Sequence, residues 1–304
     1  MSIVICKTID KKVFIHSDTR GWNSIAERSD IFKGLLKIVI LSPTICICWA
    51  GNAETAKDAF NGIEDRWIKE NDTASLCTHL SLFSMSDQLD HHVDFIIIDH
   101  SSDAKTFKIT KGKIQNKNPG FTWIGDYDAY HLFLEKWHQT LSTKDPEEYI
   151  AFHKAFKIMI ENAPSKTVGD FQVSVVSNDE GFRYTTYGEA FSPKQTLSPG
   201  TSVLKLQGCA EGAYSLSCLT TNANEKPGCA LYFTPIEFGV ILDPSDPFHF
   251  GPILHLPINT FLSEVKRIYG FDLSGRVVDS SGQIRSVGKR TIDVSLMGST
   301  IIKV

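Results

Sequence analysis

Along the first 187 residues the apolar positions change period four times, and that order excludes most folds available to a chain of this size. Strand-type runs come first, at Ile3 to Cys6 and Val13 to Ile15 around a polar turn at Lys7 to Lys12, then at Leu35 to Leu41 and Thr44 to Trp49 around Ser42-Pro43. A helical period follows: Ala53, Ala56, Phe60, Ile63 and Trp67 lie three or four apart after Gly51-Asn52, and a second helix is expected from Thr73 to about Met85. Strands return at Val93 to Asp99, Thr106 to Thr110, Ile114 and Phe121 to Ile124, with Lys111-Gly112 as a turn.

The helical period then comes back twice. Asp128 to Leu141 carries one apolar face, and Asp145-Pro146-Glu147-Glu148 supplies a cap, a first-turn proline and acidic charge for a helix bearing Tyr149, Phe152, Phe156 and Met159. Pro164 ends it, and Phe171 to Val176 with Phe182 to Tyr184 form a last strand pair. This is not the regular alternation of a doubly wound sheet. It fits two stacked sheets between two helical layers.

A first domain is therefore expected over residues 1–187, closed before Phe191-Ser192-Pro193. The remainder, 188–304, is rich in Gly, Pro and Ser. Its short strands (Ser202 to Leu206, Cys229 to Phe233, Phe238 to Leu242), one amphipathic helix (Asn259 to Tyr269) and β-like tail (Thr291 to Val304) read as a small α+β domain. Two domains suit 304 residues.

Charge and cysteine usage narrow the partners. With 31 basic against 35 acidic residues and no run of Lys and Arg, nucleic acid is not expected as a partner. The apolar run Ile38 to Trp49 is too short for a bilayer and is interrupted by Pro43, and the N-terminus lacks a signal-peptide pattern, so the expectation is a cytoplasmic protein without a membrane span. Seven scattered cysteines (Cys6, Cys46, Cys48, Cys77, Cys209, Cys218, Cys229) read as reduced, buried thiols, with Cys46 and Cys48 on one strand face.

Several short motifs occur in an informative order. Ser17-Asp18-Thr19-Arg20 ends the second strand. Lys37 precedes Gly51, in Trp49-Ala50-Gly51-Asn52-Ala53, by 14 positions. Val93-Asp94-Phe95-Ile96-Ile97, Phe107-Lys108-Ile109 with Gly112, and Trp123-Ile124-Gly125-Asp126 follow. Together they resemble the proteasome β-subunit family of N-terminal-nucleophile hydrolases, including its bacterial ancestral relatives, over about 180 residues. The resemblance implies a four-layer αββα sandwich, here with an additional small C-terminal α+β domain.

It also implies chemistry. Counting back 16 from Asp18 gives Ser2 as the nucleophile, exposed by removal of Met1, with its own α-amine as base near an unperturbed pKa of ~8. Lys37 would hold the amine and hydroxyl pKa values down, Asp18 would orient Lys37, and the Gly51 N–H would face the oxyanion. Asp126 stands where the family places a catalytic serine, and accepting a hydrogen bond from the α-ammonium is the role open to it. The family's supporting aspartate falls near Ser165, with Thr167-Val168-Gly169-Asp170 in the turn. The implied substrate is a peptide or small amide. The implied assembly is a homo-oligomeric ring or a related form, with an ATPase or another protein as partner and no cofactor.

Three choices stay open in the sequence. A register aligning Ile3-Val4 with the family's first strand puts Met1 at the nucleophile position; Lys33 competes with Lys37; and a scaffold that has lost activity fits the departures at Asp126 and Ser165. His91, His92 and His100, with Asp94 and Asp99, are better explained as strand-end residues than as a metal site. Pro247-Phe248-His249-Phe250-Gly251 and His255 read as a packed loop.

Overall fold

The N-terminal hairpin sets the frame of the computed structural model, which describes residues 2–20, 34–86, 91–101, 104–117, 120–142, 147–163, 168–169, 171–191, 214–222, 225–249, 251–279 and 283–288. Ile3–Ile9 (β1) and Lys12–Asp18 (β2) pair antiparallel about a two-residue turn. Asp10 and Lys11 hold that turn at φ 48° and 64°, the left-handed geometry whose twist matches the flanking strands. The strands thus run through Lys7 and Thr8, which the sequence had suggested as turn.

Ile38–Ile40 (β3) and Ile45–Gly51 (β4) come next, then helices Ala53–Asn61 (α1), Asp65–Lys69 (α2) and Thr73–Phe83 (α3). The helix expected through Trp67 breaks into α1 and α2 because Gly62 caps the first at its C-terminus. Val93–Asp99 (β5), Lys105–Thr110 (β6), Lys113–Lys117 (β7) and Phe121–Gly125 (β8) follow, and then Tyr127–Leu141 (α4) and Glu148–Asn162 (α5). Gln172–Asn178 (β9) and Gly181–Tyr184 (β10) complete this part.

The first sheet has the order β10-β9-β2-β1-β8 and the second β3-β4-β5-β6-β7. Strands buried on both faces explain the continuous apolar runs. In β1, Ile3 and Ile5 join a cluster with Phe133, Trp137, Phe152 and Phe156 of α4 and α5, while Val4 and Cys6 turn to a central cluster. In β4, Ile45, Ile47 and Trp49 pack with Ala56 and Leu76 of α1 and α3, while Cys46, Cys48 and Ala50 face the centre.

Beyond residue 186 the chain adds Tyr187–Phe191 (β11), Tyr214–Thr220 (β12), Cys229–Phe233 (β13), Phe238–Leu242 (β14) and Ile253–His255 (β15) in one antiparallel sheet of that order. Helix Ile258–Tyr269 (α6) covers one face through Phe261 and Val265. Gly275–Val278 (β16) and Ile284–Val287 (β17) form a ribbon. The expected strand Ser202 to Leu206 and the tail Thr291 to Val304 lie outside the described residues.

The third sheet corrects the expected fold class. Leu216, Cys218, Leu231, Phe233, Phe238, Val240 and Leu242 belong to the same central cluster as Val4, Cys48 and Ile96. A four-layer αββα sandwich with a small domain added to it does not describe this arrangement. The described chain is mostly antiparallel sheet, with three five-stranded sheets around one shared apolar centre and comparatively few helices. The reason is that β12 to β14 are themselves buried on both faces, and each large side chain so buried contributes about 1.5–3 kcal/mol. Among the described residues no helix is long and apolar enough to cross a membrane.

Candidate functional site

At the end of β2, Asp18 is fully buried and gathers four donors. Its Oδ1 accepts from the Lys37 ammonium at 2.7 Å and from the Ile3 backbone N–H at 2.9 Å. Its Oδ2 accepts from the backbone N–H groups of Gly169, at 2.7 Å, and Arg20, at 3.1 Å. A carboxylate needs such a set to remain charged inside a protein.

Lys37, immediately before β3, has no solvent exposure at all. Burial lowers its pKa from the ordinary lysine value to about 8, opposed by the attraction of Asp18 and assisted by the positive charge of Arg20. Its backbone is anchored separately, because the Lys37 carbonyl accepts from Trp49 N at 3.0 Å.

Ser2 enters this group through its neighbour. Asp18 binds the N–H of Ile3, so the residue next to Ser2 and the lysine share one carboxylate oxygen. The Ser2 carbonyl accepts from Asp126 N at 2.7 Å, and Gly125 lies so close that an added Cβ would stand 1.8 Å from that oxygen. Only glycine fits there, also because its φ is +102°. Ser2 itself is 3% exposed. Met1, the alternative nucleophile position, and Lys33, the alternative lysine, lie outside the described residues.

Gly51 ends β4 on the second sheet, at φ +126°, where a Cβ would meet the His92 carbonyl at 2.2 Å. Asn52 follows as the cap of α1, its backbone N–H bonded to the same carbonyl and its side chain accepting from Thr55 N. The glycine–asparagine pair therefore turns strand into helix, as the sequence suggested. Trp49, two residues before Gly51 on the same strand, donates its backbone N–H to the Lys37 carbonyl.

Asp126 has a structural employment that its sequence context could have disclosed. Its carboxylate accepts from Ala129 N at 2.9 Å and caps α4, ahead of an amphipathic run. Ser165 and Asp170 lie outside the described residues. Gly169, not singled out as a site residue, supplies one of the four donors to Asp18, and a Cβ on it would stand 2.6 Å from Arg20 N. The Thr167-Val168-Gly169-Asp170 turn was the available signal, but not for a backbone donor.

Near β5, His92 Nε2 lies 3.2 Å from Asp94, the His100 ring packs against Phe182, and Asp99 accepts from the Thr73 hydroxyl at 2.8 Å. A second buried polar group lies two residues before Asp18. His16 Nδ1 is 2.7 Å from the Ser174 hydroxyl, and the Gln172 amide nitrogen lies 3.1 Å from His16 and 3.0 Å from His153. Burial, with His153 nearby, holds the His16 pKa well below the usual histidine value.

No protein-family model matches the chain, and no curated protein matches it in sequence. Among solved structures, the chain is similar to eukaryotic HslV from Trypanosoma brucei, at 13% identity, covering 57% of this chain and 98% of that one, with a TM-score of 0.44.

Proposed function

We propose that the chain is a proteasome-like amide or peptide hydrolase in which Ser2, freed by removal of Met1, is the nucleophile. The observation that carries this reading is the shared oxygen of Asp18, which ties the buried Lys37 ammonium to the residue next to Ser2. A lysine buried without exposure is a costly arrangement, and an electrostatic role for its charge accounts for it.

In the reaction, Ser2 Oγ attacks the substrate carbonyl while its proton passes to the Ser2 α-amine. The tetrahedral oxyanion faces the Gly51 N–H. The C–N bond then breaks, the leaving amine takes the proton, and Ser2 carries an ester. Water, deprotonated by the Ser2 α-amine, attacks the ester, the C–O bond to Ser2 breaks, the proton passes to Ser2 Oγ, and the acid is released. Lys37 keeps the amine and hydroxyl pKa values low, and Asp18 fixes Lys37. Asp126, already the cap of α4, stands one hydrogen bond from the Ser2 backbone and is proposed to steady the α-ammonium. By the sequence resemblance, the proposal extends to a homo-oligomeric ring or related assembly with an ATPase or other protein partner.

The near-complete burial of Ser2 favours a second reading, a catalytically inactive scaffold. One experiment separates the two. Intact mass shows whether Met1 is removed in cells, and a serine-reactive acylating probe is applied to wild type and Ser2→Ala. Removal of Met1 with labelling confined to wild type supports the hydrolase. Retained Met1, or labelling that survives in Ser2→Ala, overturns it.

A further inference from the structure

The residues that hold the Lys37 segment come from β4 and from the distant loop between β14 and β15. On one side of the 34–37 segment, Trp49 of β4 donates its backbone N–H to the Lys37 carbonyl and its indole N–H to the Leu36 carbonyl, each at 3.0 Å. On the other, the Leu36 N–H donates to the Pro247 carbonyl at 3.1 Å, and the Gly251 N–H donates to the Gly34 carbonyl at 3.3 Å. Phe248, between them in sequence, sets its ring against Trp49 at 5.2 Å and against Phe60 of α1 at 5.1 Å.

We infer that Phe248, with the flanking backbone of Pro247 and Gly251, is a positioning element for Lys37, so that the loop between β14 and β15 of the third sheet completes the candidate site. Residues 34–37 are an irregular approach to the three-residue strand β3. Such a segment lacks a full ladder of its own, and its backbone groups must be satisfied from elsewhere. Pro247 and Gly251 do this from one edge. Phe248 braces Trp49, which does it from the other. The lysine is delivered to Asp18 without exposure, and the charged groups that face it are Asp18 and Arg20.

The inference rests on the hydrolase reading for its catalytic meaning, but its test does not use activity. Full-length protein carrying 13C-labelled lysine is titrated by NMR, with the Lys37 resonance identified by its loss in Lys37→Met. Wild type is expected to titrate at about 8. In Phe248→Ala, water gains access beside Trp49 and the midpoint moves up toward the ordinary lysine value of ~10.4. Gly251→Ala moves it the same way, because its Cβ would stand 2.2 Å from the Ile241 carbonyl and displace the loop. Phe248→Leu keeps an apolar side chain and restores a midpoint near wild type.

An unchanged midpoint in folded Phe248→Ala and Gly251→Ala overturns the positioning role. Global unfolding of all three variants overturns it too, since the loop would then support the whole core rather than one lysine. A shifted midpoint with no acylation of Ser2 in wild type refutes the hydrolase reading and leaves the positioning element standing.

Discussion

The Lys37 ammonium lies 2.7 Å from Asp18 Oδ1, with both side chains entirely removed from solvent. Two opposite charges at that separation attract strongly, but each also loses its hydration, and the balance depends on the remaining hydrogen bonds. Asp18 has them, from Ile3, Arg20 and Gly169. The pair therefore joins four stretches of chain, at Ile3, Asp18 to Arg20, Lys37 and Gly169, at one point.

Replacing Asp18 by Asn turns one acceptor oxygen into a donor amide among groups that are all donors, and leaves Lys37 buried without its counter-charge. A loss of about 3–5 kcal/mol is expected, read as a lower urea midpoint with an unchanged slope. A loss below ~1 kcal/mol, the range of exposed pairs, would show that the pair does not hold these strands together.

The depressed pKa of Lys37 gives stability a defined pH dependence. Between its folded value of about 8 and the unfolded lysine value of ~10.4, the unfolded chain binds more protons than the folded one. Stability from this group therefore rises with pH across that window, and the cost of burying the charge is fully present below it. Lys37→Met removes the contribution. Urea unfolding from pH 7.5 to 10.5 is expected to show a flatter profile for the variant than for wild type, and parallel profiles would contradict the assignment.

His16 acts at lower pH with the same sign. Its folded pKa is held well below the usual 6.5, mainly by burial and then by His153, so protons bind the unfolded chain preferentially as the pH falls below 6.5. Stability is lost in that direction. His16→Gln, which keeps a polar partner for Ser174, is expected to shallow the decline between pH 6.5 and 5 in thermal melts, after comparison with His153→Gln to separate the neighbouring ring. An identical decline in His16→Gln would remove His16 as its source.

How much of this was legible follows from where the determining contacts lie. β5 is legible with its observed limits because Val93 and the run Phe95 to Ile98 are apolar and Asp99 closes them, and the pairing of Asp18 with Lys37 is implied by the family resemblance. The turn expected over Lys7 to Lys12 narrows to Asp10-Lys11 because Lys7 and Thr8, loop-like in sequence, sit in a strand only partly covered. The sheet of β11 to β15 was missed as a unit because β11 and β15 are short and carry little apolar signal, while its packing depends on partners such as Phe171 that are distant in sequence. Phe248 could be read as a packed residue; that it braces Trp49 depends on a contact across 199 positions. Asp126 was read for chemistry when its place before an amphipathic run already described a cap.

The shared apolar centre leads to a prediction about cooperativity. All five tryptophans (Trp22, Trp49, Trp67, Trp123, Trp137) lie in residues 1–187, so tryptophan fluorescence reports chiefly on that part. Phe233 of β13 is 1% exposed and lies 5.1 Å from Phe171, just ahead of β9. Phe233→Ala leaves a cavity between the third sheet and the first, with an expected cost of about 3–5 kcal/mol. If the three sheets unfold together, the tryptophan transition moves to lower urea by that amount and coincides with loss of far-ultraviolet circular dichroism. A third sheet that unfolds independently would instead leave the tryptophan midpoint where it is and split the two signals, because destabilising one cooperative unit does not shift a separate one.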